Sequence, residues 1–264
     1  MNSNSPQSLT HLPPPPMVRL LETSPNQCLV LVEIHAAAAN FFDLLQMAGK
    51  YQNQPPFPFL LGAEFAGIVL SSPETSSFRP GDRVFGSNQG SYAEKTIALL
   101  PTLHRIPRGW SFRDAAGLSV TAPTSYAALV LRAKLQRGEV CLVHAAAGGV
   151  SLTAVQIAKA LGATVIATCS PGKFGVAKRF GADYTVDYTR KEWMDEVKTI
   201  CKGLKKGGVD VVYDSVGKVE ESLKVVGWGG RILIIGFAGG KIEKVAMNRV
   251  ESAKESGRAD GRCC

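Results

Sequence analysis

The sequence predicts an α/β protein with a mostly β N-terminal part followed by a doubly wound parallel sheet. Residues 139–160, EVCLVHAAAGGVSLTAVQIAKA, pass from a short apolar run through a glycine turn into a segment with helical apolar spacing. Four more strand-like runs follow, each separated from the next by a helical stretch. The earlier part of the chain has short apolar runs broken by Pro and Gly, so we expect it to be irregular and mostly β.

The N-terminal elements are predicted from local signals. Residues 1–27 are polar and proline-rich, and we expect a disordered lead-in there. A short helix ending at Gly49 is expected within residues 40–51, where Phe42, Leu45 and Met47 have compatible spacing. Strands are expected within four segments, which are residues 29–34, 55–69, 78–85 and 90–97.

The C-terminal elements alternate. Strands are expected at five places, which are residues 140–144, 164–168, 184–187, 209–213 and 231–235. Ser170 is predicted to cap the helix that Gly181 follows. Thr189 and Glu192 have the spacing of a capping box ahead of the next helix. That helix has its apolar residues at Trp193, Val197, Ile200, Cys201 and Leu204.

The glycine turn is a candidate pyrophosphate site. Residues 146–151 align with the dinucleotide pattern GxGxxG, and Gly148 keeps the position where a side chain would block the pyrophosphate. Unpaired N–H groups and the helix dipole favour an anion at such a helix start. Two of the three glycines are replaced, so the motif alone fits an ordinary glycine turn equally well.

The end of the second strand indicates which dinucleotide is bound. An NAD enzyme needs a carboxylate there for the ribose 2′-OH, and residues 167–170 are Ala, Thr, Cys and Ser. Lys173 follows in the first turn of the next helix and offers a cation to a 2′-phosphate, so NADP(H) is favoured. Lys178 and Arg179 fit a solvated helix face equally well.

Composition excludes several classes of protein. The chain has 264 residues, 45% apolar and 20% charged, which is enough for one large or two ordinary cores. Its six cysteines lack zinc-site spacing, which favours reduced thiols and a cytoplasmic location. The net charge of +8 is spread along the chain without a basic, aromatic-rich stripe, so no nucleic-acid partner is expected. No apolar run is long enough to cross a membrane, and no membrane association is expected.

Six segments carry a resemblance to a known family. In order they are NFFDLLQMAGKYQ, PFPFLLGAEFAG, FRPGDRVFG, GSYAE, AAGLSVTAPTSYAAL and VHAAAGGV. In this order and spacing they resemble zinc-independent quinone oxidoreductases of the medium-chain dehydrogenase/reductase superfamily. The resemblance implies an incomplete GroES-like catalytic domain over residues 28–115 and an incomplete Rossmann NADP-binding domain over 116–250, with substrate in the cleft between them. It also implies NADPH-dependent reduction of a quinone or related enone.

The resemblance also addresses metal binding. Where zinc alcohol dehydrogenases of the superfamily place their three catalytic ligands, this sequence has Asn40, Ala63 and Val120. These side chains cannot form a catalytic zinc site, so no metal is expected. Hydride transfer would then depend on ring placement and on hydrogen bonds to the carbonyl that gains charge.

The resemblance implies catalytic roles for Asn40 and Tyr51 on the nicotinamide and substrate side. Asn40 could instead cap a helix, and Tyr51 could simply pack. Asp43 and Glu64 also match the family, although either could be structural, as a helix-turn carboxylate or a buried partner of an arginine.

The resemblance implies positions for several cofactor-binding residues. Thr124 is assigned to the nicotinamide-phosphate side, Ser170 and Lys173 to the 2′-phosphate, and Tyr188 to the adenosine end, where it could equally be an ordinary exposed aromatic. The remaining residues belong to the glycine turn and to the loops after the fourth and fifth strands, where ligands bind to such sheets. They are Ala147, Gly148, Gly149, Val150, Ser215, Val216, Gly217, Phe237, Ala238 and Gly239.

Two departures from the family pattern stand out. Ser151 replaces the glycine that allows close packing of helix and strand, which is expected to cost about 1 to 3 kcal/mol if the site cannot relax. Residues 251–264 are polar and are expected to be a disordered tail of a truncated or alternatively spliced reading frame. The sheet would then lack its sixth strand, and the family-type homodimer is in doubt. An enoyl or alkenal reductase and an inactive nucleotide-binding or partner-binding remnant stay open as alternatives.

Overall fold

A computed structural model describes residues 29–239 of the chain. The described residues form two compact units, and the division falls between Val120 and Thr121. The domain limits from the sequence, 28–115 and 116–250, stay a prediction. The expected lead-in (1–27), the expected tail (251–264) and three of the cysteines lie outside the described residues.

The first unit contains a five-stranded antiparallel sheet in the order β4-β1-β2-β3-β5. Two short helices accompany the sheet, and a third begins at its end. The strands are β1 (Leu29–Ala37), β2 (Glu64–Ser71), β3 (Arg83–Ser87), β4 (Lys95–Leu99) and β5 (Leu103–Arg105). The helices are α1 (Phe41–Met47), α2 (Phe112–Ala116) and the start of α3 (Leu118–Tyr126).

The alternation of buried and more exposed residues explains the register of the strands in this sheet. Val30 and Val32 on β1 are fully buried, as are Phe65 on β2 and Val84 on β3, and together they form one core. Residues two apart share a face of a strand, so these positions commit each strand to one register. All four predicted strand segments contain a strand. The short β5 was missed because three residues carry too little period to be recognised.

Helix α1 buries its polar side chains and exposes its apolar ones. Asp43 and Gln46, three residues apart, are buried. Phe41 and Leu44 on another face are 52% and 60% exposed. A surface helix normally does the reverse. Contacts of the buried carboxylate with neighbouring polar groups therefore take the place of an apolar core here.

The second unit contains a five-stranded parallel sheet in the order β10-β9-β6-β7-β8. Its strands are β6 (Val140–Val143), β7 (Thr164–Cys169), β8 (Tyr184–Asp187), β9 (Val209–Asp214) and β10 (Val226–Ile234). Its helices are the rest of α3, α4 (Gly149–Ala160), α5 (Phe174–Arg179), α6 (Trp193–Gly203) and α7 (Val219–Ser222). All five predicted strand positions are confirmed. The place of a sixth strand falls after residue 239, outside the described residues.

Both faces of this sheet are covered by helices. Cys141 and Val143 of β6 pack in one core with Ala154 of α4. Leu142 packs in a second core with Val197 of α6. Successive strand residues point to opposite faces, so the wholly apolar run of β6 serves both cores. This arrangement is that of a doubly wound sheet, and the strand order changes direction between β6 and β9, where such sheets bind ligands.

Two predicted helix caps are wrong. Thr189 does not form a capping box, because its hydroxyl and N–H both donate to Asp187 Oδ1, at 2.7 and 2.9 Å. Glu192 itself is the N-cap of α6 and makes no side-chain cap. Ser170 precedes a 3-10 turn (Pro171–Lys173) rather than α5 directly, and it also makes no side-chain cap.

The segment before β6 is helical, which the sequence analysis did not predict. Helix α3 contains Pro123 and continues into a π-helical stretch (Ala127–Arg132). Proline within a helix removes a backbone donor and disturbs the turn before it. The proline and the absence of an apolar stripe hid this helix from pattern analysis.

Arg231 ties β10 to the segment before β6. Its guanidinium pairs with both carboxylate oxygens of Glu139, at 2.8 and 2.7 Å, and also donates to the Ala133 and Asp210 carbonyl groups, each at 3.1 Å. The pair holds the pKa of Glu139 below its usual range, chiefly through the Arg231 hydrogen bond. Such a bidentate pair is more specific than a surface ion pair.

We expect Arg231→Ala to lower the free energy of unfolding by about 2 kcal/mol, because it leaves a half-buried carboxylate and two carbonyl groups without their donor. Urea denaturation measures it, with Arg179→Ala, at an exposed position of α5, as control. The loss should shrink in acid, since Glu139 contributes above its unfolded pKa and ceases to as pH falls through its lower folded pKa. Equal stability of the two variants would contradict the assignment.

Three cysteines are described, and all are buried free thiols: Cys141, Cys169 and Cys201. Burial raises the pKa of Cys141 to about 12 and that of Cys201 to about 11, so neither is a reactive thiolate. Among residues 29–239, no helix combines the length and apolar content that a bilayer crossing requires.

Candidate functional site

The turn between β6 and α4 is open at the start of the helix. Ala145 takes the left-handed turn conformation, with φ of 45°, and Gly148 is the N-cap of α4. Gly148 and Gly149 are exposed, and no described side chain caps the helix. The first-turn N–H groups therefore keep their capacity to bind an anion.

The glycines of the turn are not required by the backbone. Gly148 has φ of −81° and ψ of 158°, which any residue can adopt. A Cβ atom at Gly148 would lie 3.3 Å from the Ala145 carbonyl oxygen, and one at Gly149 would lie 3.5 Å from Thr121 Cγ2. The Gly149 distance is an ordinary van der Waals contact, whereas the Gly148 distance is a tight one that needs a shift of a few tenths of an ångström. The exposed side of both glycines is open to what approaches from outside.

A cavity of about 150 Å³ lies beside this turn. It brings together the glycine turn, the end of β7 and the loop after β8. Its lining residues are Ala145, Ala147, Gly148, Cys169, Ser170, Lys173 and Tyr188. Five of these are predicted cofactor residues, while Ala145 and Cys169 were missed. Val150 is half-buried and is not among them.

The lining contains a cation, a hydroxyl and a phenol but no carboxylate. Lys173 is exposed, as is Tyr188. An acid at the same sheet edge, Asp187, pairs with Cys169 across β7 and β8. Its Oδ1 accepts two hydrogen bonds from Thr189. The residues present fit a phosphorylated ribose better than a free one.

The packing penalty that was expected at Ser151 is offset by hydrogen bonds. It is fully buried, and its hydroxyl donates to the His144 carbonyl group at 2.9 Å. It also lies 3.0 Å from Ser215 Oγ, which in turn donates to the same carbonyl at 3.3 Å. The expected packing penalty assumed a hydroxymethyl group without partners. A buried hydroxyl with two partners is compensated.

The two predicted loops after β9 and β10 are joined. Asp214 is fully buried, and its Oδ1 accepts the N–H groups of Val216 and Gly217, each at 2.9 Å. Gly239 N–H donates to the Val216 carbonyl group at 2.9 Å, and Ala238 N–H donates to that of Ser215 at 3.1 Å. Phe237 lies within the second loop and is partly exposed. Asp214, which sequence reasoning missed, therefore shapes the rim at this edge of the sheet.

Thr124 lies on α3, half-buried. The next residue, Ser125, is buried and donates to the Val150 carbonyl group in the first turn of α4, at 2.8 Å. Its hydroxyl also lies 2.8 Å from the Tyr213 hydroxyl. The structure therefore joins α3 to the start of α4 through Ser125, one residue from the predicted one.

His144 is a buried histidine behind the turn. Its Nδ1 lies 2.9 Å from Thr168 Oγ1 and its Nε2 lies 3.0 Å from Ser222 Oγ. Burial is the main cause that lowers the pKa of His144 to about 4, so the ring is neutral at pH 7. It packs edge-on against Trp193. His144 is a structural link between β6, β7 and α7.

In the first unit, Asn40 lies at the N-cap of α1 and is half-buried. Its Nδ2 donates to Glu64 Oε1 at 2.8 Å. Glu64 Oε2 accepts the Val120 N–H at 2.9 Å. Burial is the main cause that raises the pKa of Glu64, while these hydrogen bonds lower it. Asn40 is thus both a helix-cap residue and the partner of a buried carboxylate.

Asp43 is a helix-turn carboxylate rather than the partner of an arginine. Its Oδ2 accepts the Asn40 backbone N–H and the Tyr92 hydroxyl, each at 2.7 Å. Burial, followed by the hydrogen bond to Asp43, raises the pKa of Tyr92 to about 12. Tyr51 stacks on Phe42, with ring centroids 5.3 Å apart, so a packing role is present at that residue.

Within residues 29–239 no three His, Cys, Asp or Glu side chains are grouped so as to hold a metal ion. Asn40 and Val120 instead meet the same carboxylate, that of Glu64. The absence of a metal from the reaction stays a prediction.

Two protein families match the chain. The family described as "Alcohol dehydrogenase GroES-like domain" matches residues 26–108, and the one described as "Zinc-binding dehydrogenase" matches residues 149–256. The quinone oxidoreductase of Escherichia coli, solved in complex with NADPH, is 32% identical, with a TM-score of 0.78 over 87% of this chain and 71% of that one. The chain belongs to the medium-chain dehydrogenase/reductase superfamily. The predicted fold class, a GroES-like domain with a Rossmann domain, is confirmed.

Other members of the superfamily differ in what their names state. Quinone oxidoreductase-like protein 2 of Mus musculus is 40% identical over 83% of this chain and 63% of its own length. A solved NAD-dependent alcohol dehydrogenase is 31% identical, with a TM-score of 0.81 over 93% of this chain and 78% of that one. The CurK enoyl reductase is 29% identical, with a TM-score of 0.76 over 87% and 71%. The chain spans less than two thirds of the mouse protein's length.

Proposed function

We propose that this superfamily member binds NADP(H) and transfers a hydride from it to a quinone or related enone without a metal. The observation that carries the proposal is the cavity beside the glycine turn, where Lys173, Ser170 and Tyr188 surround a space without a lining carboxylate. Bound NADPH supplies the hydride from its nicotinamide ring. The quinone oxidoreductase relatives and the NADPH complex of the Escherichia coli protein support this assignment.

The residues of the second unit would bind and orient the cofactor. The exposed N–H groups at the start of α4 suit the pyrophosphate, and Lys173 with Ser170 suits the 2′-phosphate. Val216 and Gly239 belong to the hydrogen-bonded loops after β9 and β10, which would lie beside the cofactor. Thr124 is proposed on the nicotinamide-phosphate side, and Tyr188 at the adenosine end.

The residues of the first unit would act on the substrate. Asn40 can donate a hydrogen bond to a carbonyl oxygen that gains negative charge during reduction. Tyr51 is proposed beside it, although its ring is engaged with Phe42. The substrate class and the cytoplasmic location stay proposals.

An enoyl or alkenal reductase is the second candidate, and the similarity to the CurK enoyl reductase favours it. Both candidate reactions transfer a hydride from NADPH, and they differ in the molecule that accepts it. NADPH oxidation measured with a simple quinone and with an α,β-unsaturated carbonyl compound separates them. Tight NADPH binding without turnover of either acceptor would favour a cofactor-binding protein and would overturn both.

We expect Lys173→Ala to weaken NADPH binding about tenfold or more, because it removes the cation from the 2′-phosphate site, and to leave NADH binding nearly unchanged. Fluorescence titration of both cofactors measures this. Lys178→Ala is the matched control, since it removes the same charge from the exposed surface of α5 outside the cavity lining. Equal losses for both cofactors would refute the phosphate-binding role.

A further inference from the structure

Glu64 is a buried carboxylate to which the proposed reaction assigns no role. It is the first residue of β2 and is 1% exposed. One of its oxygens accepts from the Asn40 side chain at 2.8 Å and the other from the Val120 N–H at 2.9 Å. Both oxygens are therefore committed, one of them to the residue proposed to act on substrate.

The charge of Glu64 determines how the Asn40 side chain is oriented. An ionised carboxylate only accepts hydrogen bonds, whereas an asparagine amide has a donor end and an acceptor end. The NH₂ end of Asn40 must therefore face Glu64. The directions in which its Oδ1 and its second N–H point away from Glu64 are then fixed. The backbone N–H at the start of α3 engages the other carboxylate oxygen and keeps the carboxylate from rotating freely.

We propose that Glu64 is a positioning residue for Asn40, holding its amide in the orientation that hydride transfer to the substrate requires. This inference rests on the proposed function, in which Asn40 contacts the substrate. Hydrogen-bond donors to a developing negative charge are effective only when they are oriented beforehand.

Protonation of Glu64 would reverse the orientation. A protonated carboxyl can donate, so Asn40 could turn its oxygen toward Glu64 and its NH₂ away. The other titratable groups that influence this site are Asp43 of α1 and Tyr92, which lies before β4. Tyr92 stays neutral over the working range because its pKa is raised to about 12. Since burial raises the pKa of Glu64, the loss of activity in acid should begin above pH 4.5, the ordinary value.

The first test is Glu64→Gln, which keeps the shape and removes the charge. Because the Val120 N–H needs an acceptor, the new amide would turn its NH₂ toward Asn40 and force that side chain to flip. We expect kcat for NADPH oxidation by a quinone to fall about 100-fold, as for a misplaced catalytic group. The NADPH dissociation constant should stay within about twofold, and the acid limb of the kcat profile should disappear. Glu74→Gln, at an exposed position after β2, is the matched control.

The second test exchanges the partners. Asn40→Asp alone places two carboxylates against each other, whereas Glu64→Gln with Asn40→Asp restores one hydrogen bond and the net charge. We expect the double variant to regain thermal stability but not turnover, because it has no N–H at position 40. Recovery of turnover by the double variant, or a kcat of Glu64→Gln equal to that of Glu74→Gln, would overturn the proposal.

The positioning role can be measured even if the wild-type chain reduces no quinone, which would refute the proposed function instead. The side-chain amide signals of Asn40 in ¹⁵N NMR spectra are identified by their absence in Asn40→Asp. We expect them to shift with pH in the wild type, with a midpoint above 4.5, and to be insensitive in Glu64→Gln. Asn40 signals that shift identically in both proteins would overturn the inference about Glu64.

Discussion

Replacement of Gly148 by valine abolishes NADPH binding, with an expected loss of at least about 100-fold, because a branched side chain would occupy the space over the first turn of α4. The N–H groups there would no longer be reachable by a pyrophosphate. Fluorescence titration with NADPH measures the effect. The φ and ψ angles of Gly148 are open to any residue, but a Cβ atom there lies close to the Ala145 carbonyl oxygen. A thermal melt of the variant therefore checks that it folds as the wild type does.

Gly207→Val is the matched control for this variant. Gly207 precedes β9, has open space around its Cβ position and lies outside the cavity lining. This control should bind NADPH as the wild type does. Unchanged affinity of Gly148→Val would contradict the assignment of the turn to the pyrophosphate and, with it, the proposed cofactor site.

We expect replacement of Asn40 by alanine to lower kcat about 100-fold, as the removal of one hydrogen-bond donor from a developing oxyanion does in other enzymes. NADPH binding should persist, because the proposed binding residues belong to the other unit. Stopped-flow measurement of NADPH oxidation by a quinone separates the two effects. Asn53→Ala, at an exposed position after α1, is the control.

The Asn40→Ala variant also leaves one oxygen of the buried Glu64 without its partner, so a loss of stability of about 1 to 3 kcal/mol accompanies it. The assay is therefore run well below the unfolding midpoint. An unchanged kcat would show that Asn40 has only structural roles, as the N-cap residue of α1 and the partner of Glu64.

The parallel sheet could be predicted closely because each of its strands is buried on both faces. The apolar run of β6 serves two cores, and such runs are visible in a sequence without any knowledge of partners. The helix caps were predicted less accurately than these strands. The hydroxyl of Thr189 had a choice between its own helix and Asp187 two residues earlier, and only the folded chain decides between them.

The candidate site was predicted in its glycine turn but not in its supporting contacts. Gly148, Ser170 and Lys173 carry local signals, namely a turn, a strand end and a helix start. Glu64 and Asn40 are brought together across two elements, and spacing along the chain does not reveal that contact. Ser151 was interpreted from its size alone, whereas its hydroxyl partners come from the residue after β6 and the loop after β9.

The joined loops after β9 and β10 have a consequence for how a ligand is captured. Asp214 and the two backbone hydrogen bonds between the loops already hold this rim in the free protein. Because the two loops are ordered before the ligand binds, binding costs them little conformational entropy. The proposed nucleotide would therefore bind to a preorganised surface on this side. Its interaction free energy would contribute to affinity and would not be offset by the ordering of the two loops.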